Sequence, residues 1–262
     1  MLHLLKRHPL PVRAFFRHCL VLCYAFPERV LLPLLPPGLT LDTYHGLGFL
    51  AIAMVQTEGL RPVGVPAALG QDFFLSGYRV FTRFRTAAGR SLRGLRILRS
   101  DTDRELMVLA GNALTHYHYV KCDAQIREEN GSLEVRIQTG GEADLHVVAD
   151  LAGKPAPLPA GSPFPNLHEA RKFAGPLPFT FDYEAETHSI VRIQGVRRQW
   201  NPEPVAVDVR ECTFLARPPF AGERPVLANA FHLQDVPYRW ERGICEPLPR
   251  PQTREKTGGA VA

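Results

Sequence analysis

The 262-residue sequence lacks the features that mark several large protein classes. Its cysteines are few, odd in number and irregularly spaced, so they do not form the framework of a disulfide-stapled secreted protein. Cys19 and Cys23 have no second cysteine pair that would complete a zinc site, and both are interpreted as small core residues. A reducing cytoplasm suits this cysteine usage and is the expected location.

The sequence also lacks an apolar run long enough to cross a bilayer. Residues 19–26 form the main apolar run near the N-terminus, whereas a membrane-spanning helix needs about 20 apolar residues. Arg17 and His18 interrupt the run upstream, Pro27 ends it, and no small-residue cleavage site follows. The run is interpreted as a strand or entry segment of a soluble domain, with surface association as the alternative. No membrane span is expected.

The sequence also lacks a large excess of positive or negative charge, because its net charge is only +5. The arginines of residues 79–99 alternate with apolar residues, which is typical of the wet face of a half-buried antiparallel sheet. Binding to nucleic acid would need those arginines beside stacking aromatics, so no such partner is expected. The glycine pairs at 140–141 and 258–259 lack the strand–turn–helix context of a phosphate loop. No cofactor is expected.

Residues 72–123 hold the clearest structural pattern. Two strands flank the turn at 87–89 and predict a β-hairpin. Leu106, Leu109 and Ala113 recur at helical spacing and predict a helix over residues 100–114, with Ser100 and Asp101 as cap candidates. A third strand follows. The predicted core or pocket wall contains Phe74, Tyr78, Val80, Leu95, Ile97, Leu106, Leu109 and Leu114.

The rest of the chain is rich in short strands. Asn130 and Gly131 between two alternating segments predict a second hairpin, and further strands follow to about residue 246. The fold class is therefore α+β, mostly antiparallel β with a few short helices. Residues 1–246 are expected to form a single domain. Residues 247–262 lack apolar periodicity and are expected to be a disordered tail.

Several of these blocks together resemble a known family. The segments PERVLLPLLPPGL, GYRVFTRF, RGLRIL, HYHYVKCDAQI, PFTFDYEAETHSIVRIQGVRRQW and VPYRWERGI are similar to those of the DUF2071 (YqjF-like) proteins. These are uncharacterised members of the acetoacetate decarboxylase-like superfamily. The resemblance covers roughly residues 24–246. It implies a cone-shaped antiparallel β-barrel that encloses a small, mostly apolar pocket.

The resemblance also implies a chemistry. Acetoacetate decarboxylase uses a lysine that forms a Schiff base with a β-keto acid, and such a lysine must be neutral to attack. A gapless comparison puts Tyr119 at the position of that lysine and Val120 at that of the second lysine. Leu75, ahead of Ser76, stands where the decarboxylase has a catalytic glutamate. We therefore expect this protein to share the fold of acetoacetate decarboxylase but not its decarboxylation activity.

The candidate site residues follow from this comparison. Lys121 and Tyr119 are the candidate catalytic residues, because a two-residue spacing puts them on one face of a strand. Lys121 has a second interpretation as a rim lysine with its amine in water. His116 and His118 point to the opposite face, and no further ligand completes a metal site, so no metal is expected. The candidate ligand-binding residues are Glu58, Leu75, Ser76, Arg79 and Tyr117.

Two function classes remain open from the sequence. In the first, the protein is a barrel that binds a small apolar or carboxylate ligand without acetoacetate decarboxylase activity. In the second, it is a lyase or related enzyme that acts on a keto acid through a Schiff base at Lys121. A guanidinium at Arg79 in the pocket would bind a carboxylate in a bidentate manner in either case. A homo-oligomer is also possible.

Overall fold

The computed structural model describes residues 2–197 and 200–249, which form two β-sheets and three short α-helices. None of these helices is long and apolar enough to cross a membrane. The strands are β1 (Val12–Pro27), β2 (Leu39–Leu41), β3 (Leu47–Pro62), β4 (Gln71–Arg85), β5 (Ser91–Thr102), β6 (Tyr119–Lys121), β7 (Asp123–Glu129), β8 (Ser132–Gln138), β9 (Leu145–Asp150), β10 (Phe179–Glu184), β11 (Ser189–Arg197), β12 (Glu203–Pro204), β13 (Ala206–Cys212), β14 (Val226–Trp240) and β15 (Ile244–Pro247). The α-helices are α1 (Glu28–Leu31), α2 (Glu105–Leu114) and α3 (Leu167–Ala174).

Short 3₁₀ segments and the end of the described chain complete the outline. The 3₁₀ segments are Leu2–Arg7, Leu32–Leu34, Ala67–Leu69, Ala185–Thr187 and Thr213–Ala216. The predicted tail begins at residue 247, but Pro247 is the last residue of β15, and Leu248 N donates to His188 O over 2.9 Å. These two residues therefore belong to the folded part. The tail from residue 250 onward lies outside the described residues.

The larger sheet has 11 strands and is mostly antiparallel, as the sequence predicts. Its main path runs β12-β14-β1-β3-β4-β5-β10-β11-β15, with β2 paired to β4 and β6 paired to β5. Strand β11 also pairs with β14 at the end of that strand, where Arg197 lies opposite Tyr238. The pairings β5–β10 and β5–β6 are parallel.

The smaller sheet contains four strands in the order β13-β9-β8-β7 and covers one face of the larger sheet. The predicted hairpin at 130–131 is β7–β8, and both turn residues have positive φ, as a tight hairpin turn requires. On β1, Leu20 and Leu22 contribute to the core beneath the small sheet. Cys19 and Val21 point to the other face and belong to a second core cluster. Alternation on one strand thus builds two apolar layers.

The predicted helix over residues 100–114 begins five residues too early. Ser100 and Asp101 continue β5, where they lie opposite Gly77 and Ser76 of β4. Asp101 Oδ2 accepts a hydrogen bond from Ser76 Oγ over 2.9 Å, so the carboxylate stabilises the sheet and does not cap the helix. Asp103 Oδ1 accepts from Phe74 N over 2.8 Å. The helix begins only at Glu105, after these sheet contacts end.

The prediction that the leucines of α2 lie in the core or on the pocket wall is wrong for Leu106 and Leu109, whereas Leu114 lines the cavity described below. Leu106, Leu109 and Leu114 are 58%, 71% and 39% exposed. The face of α2 that packs inward carries Met107, Ala110 and Gly111 in addition to part of Leu114. Because the outer stripe is also apolar, periodicity alone could not show which stripe faces inward. The other predicted core residues, Phe74, Tyr78, Val80, Leu95 and Ile97, are buried.

This exposure leads to a stability prediction. We expect Leu109→Ala to change the free energy of unfolding by less than about 0.5 kcal/mol, since surface substitutions rarely cost more. Leu50→Ala removes a fully buried side chain of β3 and is expected to cost about 2–5 kcal/mol. Urea unfolding of both variants measures the two values. If both substitutions lower the free energy of unfolding equally, the outer stripe of α2 is packed against the rest of the protein.

A chain of polar groups joins the two sheets. His18 of β1 and His232 of β14 are buried, and His18 Nδ1 lies 3.1 Å from His232 Nε2. Lys154 Nζ lies 3.0 Å from His232 Nδ1, and Glu128 of the small sheet lies 3.4 Å from His18 Nε2. Because an ammonium can only donate, His232 Nδ1 accepts and its Nε2–H donates to His18. When both histidines are neutral and carry their proton on Nε2, each hydrogen bond in this series of polar groups has one donor and one acceptor.

This series of buried polar groups predicts that the stability of the protein depends on pH. Burial, with the Lys154 charge next, lowers the pKa of His232 to about 3, and burial also lowers the pKa of His18. Their pKa in an unfolded chain is about 6.5. Above that pH both histidines are neutral in both states, and their contribution to stability is complete. Below it the unfolded chain binds protons that the folded protein excludes, so stability falls down to about pH 3.

Each pH unit below about 6.5 should cost up to about 1.4 kcal/mol through His232. We expect His232→Gln, which does not titrate, to flatten this part of the pH dependence between about pH 6 and pH 4. His168→Gln, a change at an exposed histidine of α3, is the matched control and should leave the slope unaltered. Urea unfolding at several pH values measures the slopes. If the free energy of unfolding falls equally with pH in His232→Gln and in the native protein, His232 is not the source of the pH dependence.

Candidate functional site

A cavity of about 310 Å³ lies against the face of the large sheet that is turned away from the small sheet. Strands β1, β3, β4, β5, β11 and β14 line it together with α2 and residues 174–180. Alternate residues of each strand point into it, and most of them are apolar, such as Val21, Ala53, Val55, Phe73 and Phe231. The cavity is therefore an apolar space formed by the inward face of the sheet.

Three guanidinium groups line this apolar cavity, and no aspartate, glutamate or lysine is among the described residues that line it. Arg61 Nη1 donates to Gly59 O over 2.6 Å. Arg197 Nη2 donates to Pro176 O over 2.7 Å, and its guanidinium lies 4.3 Å from the ring centroid of Trp200. Two of the three cations are thus held by backbone carbonyls or an aromatic ring.

Arg79 differs from the other two arginines. It forms no ion pair or hydrogen bond with a side chain or carbonyl of the described residues, and its Nε, like that of Arg61, is buried without a partner. A charged group that is withdrawn from water without a partner costs free energy, which a bound anion would recover. A guanidinium also matches the planar geometry of a carboxylate. Arg79 therefore gives the cavity an available anion-binding group.

The sheet places this guanidinium above Gly77. Arg79 is on β4 after a register shift between Tyr78 and Arg79. A Cβ atom at position 77 would lie 2.7 Å from Arg79 Nε, which is too close for a real contact. Glycine at 77 thus leaves the space that the guanidinium occupies. Leu75 and Phe81 of the same strand also line the cavity, as strand alternation requires.

Helix α2 positions Tyr119 at the cavity wall. Asn112 Oδ1 accepts from Tyr119 N over 2.8 Å, and Asn112 Nδ2 donates to Tyr119 O over 2.9 Å. The ring lies against Gly111, where an added Cβ would come within 2.3 Å of it. Tyr117 lines the cavity next to it, and Tyr117 Oη lies 2.7 Å from Thr180 Oγ1. Two phenol groups are therefore held in place at the wall.

Burial determines the protonation of these groups. It raises the pKa of Tyr119 to about 12, although the Arg79 charge opposes the shift. Burial likewise raises the pKa of Tyr117. It also raises the pKa of the Cys19 thiol to about 11, against the charges of Arg79 and Arg197. At neutral pH both phenols are therefore hydrogen-bond donors, and the thiol is protonated and poorly nucleophilic.

Four of the seven residues singled out from the sequence line the cavity, namely Leu75, Arg79, Tyr117 and Tyr119. Ser76 is buried on the opposite face of β4 and donates to Asp101, because neighbouring residues of a strand point to opposite faces. Glu58 lies outside the cavity and accepts from Arg17 Nε and Nη2 over 3.1 and 3.2 Å. Neither residue therefore contacts the cavity.

Lys121 is the third residue that the cavity does not include. Its side chain is 43% exposed, and Nζ donates to Cys122 O over 3.2 Å and lies 3.9 Å from Asp123. Lys121 follows Tyr119 by two residues on β6 and lies opposite Thr102 of β5, which does not line the cavity either. His116 and His118 precede β6 and do not line the cavity, and no metal-ligand cluster occurs within residues 2–197 and 200–249.

Several residues of the site were not predicted from the sequence. Arg61 and Arg197 are two of many arginines, and no motif singles them out. Tyr238 and Trp240 alternate on β14 and line the cavity near Arg197. Their two-residue spacing was a usable signal for a strand with one aromatic face. The pairing of β14 with both β1 and β11, which directs that face inward, was not visible in the sequence.

Comparison with known proteins places the chain in a family. The model of DUF2071, described as an uncharacterized conserved protein, matches residues 13–235. The chain belongs to the DUF2071 family. No curated protein is significantly similar to it in sequence.

The solved structures that resemble this DUF2071 protein have an acetoacetate decarboxylase-like fold. Acetoacetate decarboxylase from Legionella pneumophila is 12% identical, with a TM-score of 0.59 over 90% of this chain and 87% of that chain. An acetoacetate decarboxylase-like enzyme from Sphingomonas wittichii is 14% identical, with a TM-score of 0.57 over 92% and 94%. The enduracididine biosynthesis enzyme MppR complexed with pyruvate is 11% identical, with a TM-score of 0.58 over 90% of each chain. At these identities the similarity shows the fold alone.

The position of Lys121 leads to a chemical prediction. We expect no imine at Lys121 when the protein is treated with acetoacetate or pyruvate and then borohydride, because its amine lies outside the cavity. Peptide mass spectrometry detects the reduced adduct. Lys172, whose side chain is 70% exposed, reports the background reaction of a surface lysine. A Lys121 adduct well above that background, lost in Lys121→Arg, would restore the Schiff-base mechanism.

Proposed function

We propose that this DUF2071 protein binds a small carboxylate with an apolar body in its cavity and does not decarboxylate acetoacetate-like substrates. The observation that carries the proposal is the Arg79 guanidinium, which faces an apolar cavity and has no partner among the described residues. The absence of a lysine among the described lining residues supports a non-covalent role. No observation favours the alternative of a lyase acting through Lys121.

The strand pairings support the predicted architecture of this site. Pairings run from β14 through β1, β3, β4, β5, β10 and β11, and β11 pairs again with β14. We interpret this ring as the cone-shaped β-barrel implied by the family resemblance, with the cavity inside it. A closed sheet leaves few free edges and positions inward side chains rigidly. Rigid walls would reduce the cost of ordering the site on binding.

Each lining residue then has a role in the proposal. Arg79 binds the carboxylate through two parallel hydrogen bonds. Tyr119 donates from its neutral phenol to the same group, since it lines the cavity on the cross-strand row over which the Arg79 guanidinium lies. Leu75 and Tyr117 contribute wall surface for the apolar body. Because a phenol cannot form an imine, Tyr119 provides no covalent route for a keto acid.

Calorimetric titration with hexanoate and with 1-hexanol tests the proposal. We expect hexanoate to bind more tightly than the alcohol, because only the acid gives Arg79 a charged partner. Hydrogen bonds to charged groups contribute about 1.5–3 kcal/mol, so Arg79→Met should weaken hexanoate binding about 10- to 100-fold. The alcohol's affinity should change little.

Arg85→Met is the matched control, because Arg85 is an exposed arginine at the end of the same strand. It removes the same charge and should leave both affinities at their native values. The proposal fails if hexanoate binds no better than hexanol. It also fails if Arg85→Met and Arg79→Met weaken hexanoate binding equally, since the effect would then come from net charge.

A further inference from the structure

The cavity is long compared with a keto acid of a few carbons. Along β1 its lining extends from Val21 to Val12, and along β3 from Ala51 to Pro62. At about 3.3 Å per residue, the β1 stretch covers roughly 30 Å of strand. The cavity is therefore an elongated channel, and a ligand the size of acetoacetate would contact only a small part of its wall.

Three polar groups of the channel wall lie on one cross-strand row. The Arg79 guanidinium lies over Gly77, which pairs with Ala53 of β3, and Ala53 pairs with Val21 of β1. On the other side Gly77 pairs with Ser100, which lines the cavity and lies opposite Tyr119. The unpaired guanidinium, a hydroxyl and a phenol thus share this row. On β1 the row marks the Val21 end of the lining, and on β4 the lining continues past it to Phe81.

The other two guanidinium groups of the lining lie toward the opposite end, and each donates to backbone carbonyls. Arg61 and Pro62 lie at this end, opposite Arg13 and Val12 of β1, and Arg61 Nη1 donates to Gly59 O. Arg197 lies opposite Tyr238, which pairs with Ala14 of β1, and it is held by two backbone carbonyls. The walls in between are apolar, with Phe16, Val55, Leu60, Phe73, Met107 and Leu114.

We infer that the ligand is a long aliphatic carboxylate, with its head at Arg79, Ser100 and Tyr119 and its chain extended along the channel toward Leu60 and Pro62. The inference rests on the proposed function and adds the class of ligand. A long chain accounts for an apolar wall that a small acid leaves uncovered. It also accounts for a single guanidinium without a hydrogen-bond partner among the described residues, since an aliphatic acid has only one charged end.

A series of saturated acids tests the inference. Butanoate, hexanoate, octanoate, decanoate and dodecanoate are titrated into the full-length protein below the concentration at which they form micelles. Each buried methylene contributes about 0.8 kcal/mol, so we expect affinity to rise about fourfold per methylene through dodecanoate. Arg79→Met should weaken every acid by a similar factor and leave the chain-length slope unaltered.

A second variant tests the direction of the chain. Leu60 lines the channel at a distance from Arg79, and Leu60→Trp fills that part of it. We expect this variant to lower the ratio of dodecanoate to hexanoate affinity at least 10-fold. Leu69→Trp, at a 65% exposed position of the neighbouring loop that does not line the cavity, should keep the native ratio. An unchanged ratio in Leu60→Trp would overturn the placement of the chain.

The outcomes separate the two proposals. If hexanoate binds through Arg79 but longer acids bind no better, the inference of a long chain is wrong and the proposed function stands. If no acid of any length binds better than its alcohol, both are wrong. If affinity rises with chain length but Arg79→Met weakens none of the acids, the position of the head at Arg79 is wrong, and the proposed function fails with it.

Discussion

The pairing of two long strands, β1 and β3, is the constraint on which the rest of the structure depends. Both have 16 residues and are buried along most of their length on both faces. One face, with Leu20 and Ile52, packs beneath the small sheet. The other face, with Cys19 and Val55, forms the wall of the cavity. A single pair of nearly continuous apolar strands thus provides both the core and the site.

The buried ion pairs of the sheet show that Arg79, which has no partner among the described residues, is unusual. Asp42 is fully buried, and both of its oxygens accept from arginines, Arg83 and Arg93, over 2.6 Å. Asp101 pairs with Arg99 and Asp182 with Arg96 in the same manner. Buried carboxylates in this protein therefore have guanidinium partners. Arg79, in contrast, is a guanidinium without a carboxylate partner among the described residues. The carboxylate of a ligand would supply that partner.

The sequence predicted those parts of the fold that depend on local patterns. Alternation identified Tyr78 and Val80 as core residues, and the turn at 130–131 identified the hairpin of the small sheet. It failed where distant contacts decide the outcome. Ser100 and Asp101 resemble a helix cap but are held in β5 by their pairing with β4. The outward stripe of α2 resembles a core stripe because nothing in the local sequence shows which stripe the sheet covers.

The candidate site shows the same limit. Arg79 and Tyr119 were singled out through the family resemblance, and both line the cavity. The position of Lys121 outside the cavity could not be found from the sequence, because it depends on how far the cavity extends along β5 and β6. Glu58 likewise lies outside the cavity and pairs with Arg17 of β1, a residue 41 positions away. A strand pattern predicts which residues share a face but not how far along the strand a cavity extends.

The residue at position 119 also separates this site from one that could form an imine. The family resemblance implies that Tyr119 takes the position of the reactive lysine of acetoacetate decarboxylase, and Tyr119 lines the cavity. Two residues later the chain has left the cavity and Lys121 lies in solvent. The group that faces the cavity is therefore a phenol with a pKa of about 12, which stays neutral and donates a hydrogen bond. A neutral donor beside an unpaired guanidinium can hold a carboxylate, but it cannot attack a carbonyl as an amine does.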